Sequence, residues 1–235
     1  HPRLARRVRA GRRARPSARP AIAARRQNRV VRLRLQGDRL TFDRVVFAGI
    51  AGARFHNGGR IGFGPDGMLY VGTGEIFQAE RAQDVQDLGG KILRLTPEGA
   101  VPGDNPFAGS PVYSLGHRNV QGLAWHKESG QLFISEHGPS GEFGLRAHDE
   151  INVGARGGNF GWPRVVGAPG DPQYVDPLVA WPTRTTPPSG MAFWRGDLYV
   201  ATLRSEALVR IRFTAMRDGT FRAIGIERWF AERFG

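Results

Sequence analysis

Apolar and polar positions alternate along this chain in short bursts, and three of those bursts share one template about 65 residues apart. The first is Gly62-Phe-Gly-Pro-Asp-Gly-Met-Leu-Tyr-Val-Gly-Thr-Gly-Glu75. The second is Ala124-Trp-His-Lys-Glu-Ser-Gly-Gln-Leu-Phe-Ile-Ser-Glu-His137, and the third is Ala192-Phe-Trp-Arg-Gly-Asp-Leu-Tyr-Val-Ala-Thr202. Each reads as a short apolar strand, a tight Asp-Gly, Ser-Gly or Gly-Asp turn, and a second apolar strand, the pattern of a β-hairpin. A further strand follows two of them, at Lys91–Leu95 and Ala207–Phe213, with Arg29–Leu35 as an earlier instance. About four short antiparallel strands repeated at fixed spacing predict an all-β chain built of β-propeller blades.

The units fall at about 29–49 (a partial one ending in Arg44-Val-Val-Phe47), 59–106, 122–166, and from Gly190 towards the C-terminus, with 221–227 as a last strand. Long turn-rich loops separate the strands at Ile76–Leu88, Pro102–Tyr113, Pro139–Asp149 and Gly167–Pro188. Loops of this length in a compact domain carry function, and on a propeller they are expected to gather at one end of the central channel.

Composition fits that architecture. With 235 residues and 40% hydrophobic content the chain can bury a core, and 33 Gly and 16 Pro supply the turns. It has no Cys, which removes disulfides and thiolate metal sites. No apolar run reaches the roughly 18 residues of a membrane span.

The net charge of +13 is local. Residues 1–35 hold 13 of the 34 basic residues and no acid, so 34 − 13 leaves 21 basic residues against 21 acidic ones in 36–235. Ten of those thirteen sit in an Arg-, Ala- and Pro-rich segment, residues 1–28, without an aromatic residue or apolar periodicity. It reads as a disordered or non-native arm rather than a specific nucleic-acid tail, because it offers no stacking platform for base readout.

Several loop motifs could carry chemistry. His56, in Phe55-His-Asn-Gly-Gly-Arg60, is either a hydrogen-bonded turn residue or a general base working near neutral pH. Gly116-His-Arg-Asn-Val-Gln-Gly122 is either an Asn turn or an Arg fork for a carboxylate-bearing ligand. Ser135-Glu-His-Gly-Pro139 and His148-Asp-Glu-Ile-Asn152 offer carbonyl and carboxylate oxygens of the kind calcium prefers, without EF-hand spacing. Gly157-Gly-Asn-Phe-Gly-Trp-Pro163 reads as a loop with an aromatic anchor.

In order along 29–235, the motifs HNGGR, GPDGMLYVGTGE, LGGKILRL, GHRNVQG, SEHGP with DEIN, GGNFGWP and PPSGMAFWRGDLYVATLR resemble the soluble quinoprotein glucose/sorbosone dehydrogenases. The resemblance implies a six-bladed propeller with pyrroloquinoline quinone (PQQ) and calcium at the loop end of its channel. His56 is similar to the family's catalytic base, and Glu75 takes the place of the acid that orients it. Arg118, Asn119 and Arg204 match quinone-contacting residues. Gln83 matches a glutamine beside the cofactor, after a loop of different length. The carbonyls of Gly138 and Pro139 match ligands of the calcium beside the quinone, and Glu150 with the carbonyl of Phe160 those of a further calcium. The implied activity is oxidation of the anomeric carbon of aldose sugars to lactones, with hydride transfer to PQQ. An electron acceptor of unknown identity and a periplasmic or extracellular location are implied with it.

Family members carry further sequence on both sides of the matched region, where this chain has the Arg-rich arm and the Phe234-Gly235 end. The expectation is therefore a partial propeller of about three to four blades whose outer faces lack neighbours, poorly stable or inactive by itself. A non-catalytic, calcium-dependent sugar-binding propeller and an inactive fragment are the alternatives to the enzyme.

Overall fold

In a computed structural model of the protein, residues 26–231 and Arg233 are described; the arm, up to residue 25, lies outside them. The described residues form a two-stranded sheet and three four-stranded sheets, in which every neighbouring pair is antiparallel and consecutive along the chain. Strands β1 (Gln27–Gln36) and β2 (Arg39–Ala51) pair as a long bulged ribbon. The ribbon takes in Gln27 and Asn28, the last residues of the segment read as arm, and Asn28 Nδ2 donates to Ala51 O and to Asn57 Oδ1.

The first full blade holds β3 (Gly58–Phe63), β4 (Leu69–Thr73), β5 (Lys91–Leu95) and β6 (Val112–Leu115). The second holds β7 (Val120–Trp125), β8 (Leu132–Glu136), β9 (Asp149–Val153) and β10 (Val179–Trp181). The third holds β11 (Pro188–Trp194), β12 (Asp197–Thr202), β13 (Ala207–Ala215) and β14 (Phe221–Trp229). This is the expected partial propeller.

Why these sheets stack follows from strand period. In β4, Leu69 and Val71 point to a core shared with β1 and β2, whereas Tyr70 between them points to a core shared with the second blade. In β8, Leu132 and Ile134 face back to the first blade and Phe133 faces on to the third. A strand buried on both faces must be apolar at consecutive positions, which is why β4 and β8 read as continuous runs rather than alternations. Phe133, fully buried, stands within 5.1–5.4 Å of the rings of Phe193, Phe213 and Phe221. Its burial contributes on the order of 1.5–3 kcal/mol. The outer strand β14 instead alternates half-buried and exposed residues, and Ile224 and Ile226 are exposed on it. Leu33, Leu35, Leu40 and Phe42 are exposed on the β1–β2 ribbon.

Two sequence expectations are corrected. The turn of the third hairpin centres on Arg195 and Gly196, both with positive φ (50° and 86°), rather than on Gly196-Asp197. Two residues with positive φ match the twist of the flanking strands, as in a type I′ turn. The long loops also do not gather at one end. Ile76–Leu88 joins β4 to β5 and Pro139–Asp149 joins β8 to β9, equivalent positions in two blades, but Pro102–Tyr113 joins β5 to β6 at the opposite end. There Asp104 and Asn105 accept from Arg94, which also pairs with Asp66 of the β3–β4 turn. Antiparallel strands send successive connections to alternate ends, and that loop serves the fold.

Candidate active site

The site is built at the β4–β5 and β8–β9 ends of the first two blades. The β2–β3 connection brings His56 to the end of β4, where Glu75 follows Gly74. A Cβ on Gly74 would stand 2.1 Å from His56 O, so only glycine allows this approach. His56, Ile76 and Phe77 all have positive φ (54°, 55° and 60°), a strained arrangement held by Ile76 N donating to His56 O.

His56 Nδ1 lies 2.5 Å from Glu75 Oε1, and Arg118 Nη2 donates to His56 Nε2 at 3.1 Å. A guanidinium has only donors, so Nε2 is the acceptor and the ring proton is on Nδ1, donated to Glu75. The lone pair of Nε2, the one a base would use, is therefore taken up by Arg118. Glu75 is buried and its Oε2 has no hydrogen-bond partner. Phe77 stacks on the imidazole at 3.8 Å.

Arg118, two residues before β7, is buried with a full set of partners. Nε donates to Glu142 Oε1 at 3.1 Å, Nη2 also meets that oxygen, and Nη1 donates to His137 O at 3.1 Å. Its guanidinium stands 5.5 Å from the ring of Trp162. Burial pushes the Glu142 carboxyl up, but the hydrogen bonds from Arg118 and the backbone outweigh it and hold it below the usual carboxylate range. Burial also lowers His137, against the pull of Asp149, and its Nε2 donates to Pro188 O.

Two cavities lie beside this cluster, and Arg118 lines the smaller. The larger, about 650 Å³, is lined by Glu75, Phe77, Arg81, Glu142, Phe143 and Trp162 among others. The smaller, about 20 Å³, is lined by Arg118, Glu136, Gly138, Pro139, Glu150 and Phe160 among others. It has room for about one water-sized group. Glu150 is buried beside Glu136; burial first, and then the neighbouring carboxylate, raise its pKa well above the ordinary value. Asn152 Nδ2 donates to Glu136 Oε1 at 2.9 Å and is 3.4 Å from Glu150 Oε2. Gly138 is fixed here by a close approach, since a Cβ would meet Ala147 O at 2.1 Å. Among the described residues no group of three or more His, Cys, Asp or Glu is arranged to hold a metal ion. Any cation here would therefore lean on main-chain oxygens.

Of the residues singled out in the sequence, the structure brings together His56, Glu75, Arg118, Gly138, Pro139, Glu150 and Phe160. Asn119 sits with them as a tie: its Oδ1 accepts from Gly58 N and Gln121 Nε2, and its O from His137 N. Gln83 exchanges two amide hydrogen bonds with Asn159 and donates to Trp162 O at 2.6 Å. It braces the Trp162 loop. Arg204 stands apart, exposed on the β12–β13 turn, and lines neither cavity. Trp162, Phe77, Glu136, Glu142 and Phe143 were not singled out as site residues. Trp162 had a signal as the anchor of Gly157–Pro163, and Glu136 as the carboxylate of Ser135–Pro139.

The sequence profile of the glucose/sorbosone dehydrogenase family matches residues 17–232. The chain belongs to that family. Aldose sugar dehydrogenase YliI of Escherichia coli K12 is 37% identical over 181 residues, 66% of this chain and 47% of the relative. Quinoprotein glucose dehydrogenase B of Acinetobacter calcoaceticus is 38% identical over 152 residues, 55% of this chain and 30% of the relative. Among solved structures, the PQQ-bound aldose sugar dehydrogenase of Streptomyces coelicolor is 42% identical, with a TM-score of 0.78 over 88% of this chain and 60% of the other. A glucose dehydrogenase-type oxidoreductase of Thermus thermophilus is 56% identical, with a TM-score of 0.82 over 86% and 62%. The chain spans at most about half the length of the curated relatives it matches (47% for YliI).

Proposed function

We propose that this chain carries the active-site loops of a PQQ-dependent oxidoreductase that oxidises the anomeric carbon of aldose sugars to a lactone. The observation that carries the reading is the line Glu75–His56–Arg118, a carboxylate-oriented imidazole whose lone pair meets a buried guanidinium. Family membership and the names of the relatives support it.

The residues fit an anionic, planar cofactor. Arg118 already holds one carboxylate, that of Glu142; Trp162 and Phe77 offer aromatic surfaces; and Glu75 Oε2 and Trp162 Nε1 are buried polar atoms without partners. They also fit a cation in the smaller cavity, where the Glu150 and Glu136 carboxyls lie buried side by side with Gly138 and Pro139 in the same lining. Gly138, Pro139, Glu150 and Phe160 would hold calcium, and Arg118 the cofactor, with Asn119 and Gln83 fixing the loops around them. Arg204 belongs to the same proposal only through its position in the family pattern.

When bound, PQQ supplies the hydride acceptor and calcium the Lewis acidity that favours reduction. The protein's own part is proton transfer and electrostatics. His56 Nε2 takes the anomeric hydroxyl proton as the C1 hydride departs, and Glu75 stabilises the imidazolium that forms. Arg118 presents fixed positive charge to the oxygens on which negative charge builds. Phe77, stacked on the imidazole, keeps water from one face of His56.

A periplasmic or extracellular location is part of this proposal; no helix among the described residues is long and apolar enough to cross a membrane. The test is to add PQQ and calcium to the protein and measure aldose-dependent dye reduction. Saturable reduction lost in His56→Ala supports the reading. Bound PQQ without any sugar-dependent reduction overturns it.

A further inference from the structure

The carboxylate of Glu142 and the ring of Phe143 enter the larger cavity together. Glu142 Oε1 accepts from Nε and Nη2 of Arg118, and its Oε2 accepts from Ser140 N at 2.6 Å. The next residue, Phe143, lies 5.9 Å from the ring of Trp162, and both line the cavity with Glu75 and Phe77. An aromatic ring joined to a carboxylate, the carboxylate on an arginine fork and the ring against a tryptophan, is the set of contacts an aromatic acid would make there.

The segment is lightly held. It is a three-residue 3-10 turn, Glu142–Gly144, in which Phe143 has a φ of 55°, preceded by Gly141 with a φ of 135°. Phe143 is exposed, and a Ser140–Arg146 bridge closes the loop. Arg118 is different: its side chain is 2% exposed, against 21% for Glu142, and it is anchored from three elements. Of the two partners, the glutamate is the one free to leave.

We propose that Glu142–Phe143 is an internal ligand of this site, occupying at Arg118 the position of an incoming aromatic carboxylate, so that such ligands load by exchange with it. Where that ligand is PQQ, the inference rests on the function proposed above. A ligand without an anionic group gains little at Arg118 by displacing Glu142, so the segment also favours acidic ligands. Because the ligand replaces an existing charge-assisted pair rather than filling an unpaired fork, Glu142 lowers apparent affinity by its own grip, about tenfold to a hundredfold.

Two probes separate this inference from the cofactor assignment. Benzoate and PQQ are titrated in turn into wild type, Glu142→Gln and Glu142→Asp, following the Arg118 Nε–H resonance and Trp162 fluorescence. Glu142→Gln keeps the shape and removes the charge. It should move the Arg118 resonance in the ligand-free protein and tighten benzoate about tenfold or more, with Glu142→Asp, which keeps a shorter-reaching carboxylate, in between. Benzoate affinity unchanged or weakened in both variants would overturn exchange and make Glu142 a fixed positioner of Arg118. Should PQQ fail to bind any version while benzoate still tightens, the exchange stands and the cofactor assignment falls.

Discussion

Arg118 Nη2 donates to His56 Nε2 across 3.1 Å, so the lone pair a base would use is already capped by a cation. A substrate hydroxyl reaches Nε2 only by replacing that N–H. His56 and Arg118 thus form one unit, joining the β2–β3 and β6–β7 connections.

His56→Ala should lower turnover of the PQQ- and calcium-loaded protein by about 10²–10⁴, the usual contribution of an acid–base group, with PQQ still bound. Glu75→Gln should cut turnover more than it cuts PQQ affinity, because it removes the charge that stabilises the imidazolium while keeping a hydrogen-bond acceptor. Steady-state kinetics beside equilibrium PQQ binding checks both. Turnover within twofold of wild type in His56→Ala removes it as the base.

Arg118→Lys should weaken PQQ binding by about tenfold or more. The ammonium is a point donor and cannot serve Glu142, His137 O and His56 at once as the planar fork does. Calorimetric titration reads the affinity, and an unchanged value would place the cofactor elsewhere.

Glu150→Gln should separate the buried carboxylate pair from its cation. Without calcium the variant should melt higher than wild type, since the repulsion from Glu136 and the desolvation of a second charge are gone. Calcium at about 100 times its Kd should stabilise wild type by about 2.7 kcal/mol and leave the variant nearly unmoved. Thermal melts in chelator and in calcium decide it, and equal calcium responses would rule out Glu150 as a ligand.

Lys91 is fully buried and donates from Nζ to the carbonyls of Arg81, Ala82 and Gly89, tying down the loop that carries Gln83. Lys91→Met should therefore destabilise, by about 1–3 kcal/mol for each carbonyl left dry. Burial, opposed by Asp87 and Asp84, lowers the Lys91 pKa from 10.5 to about 8. Between those values the unfolded chain holds more protons than the folded one, so this residue's contribution to stability rises with pH. Urea unfolding from pH 8 to 10 should show wild type gaining on Lys91→Met, and a shrinking gap would contradict the assignment.

The repeats were legible because each hairpin encodes itself. The Asp66-Gly67 and Ser129-Gly130 turns and the apolar runs of β4 and β8 are local signals, and period two fixes which residues face each neighbouring sheet. The Glu75–His56 pair was legible through family motifs nineteen residues apart. Gln83 was legible as a position but not as a contact, since its partner Asn159 lies 76 residues on.

By itself, then, the sequence determined the strands, their grouping into blades and the residue types at the site, because period, turn chemistry and motif spacing act over a few residues. Only the tertiary structure decided that Glu142 grips Arg118, that Trp162 stands beside that guanidinium, that Glu136 and Glu150 share one buried space, and that Arg204 lies apart from both cavities. Those relations depend on how loops from different blades meet. Hydrogen-bond geometry and burial select them in space, and no pattern along the chain encodes them.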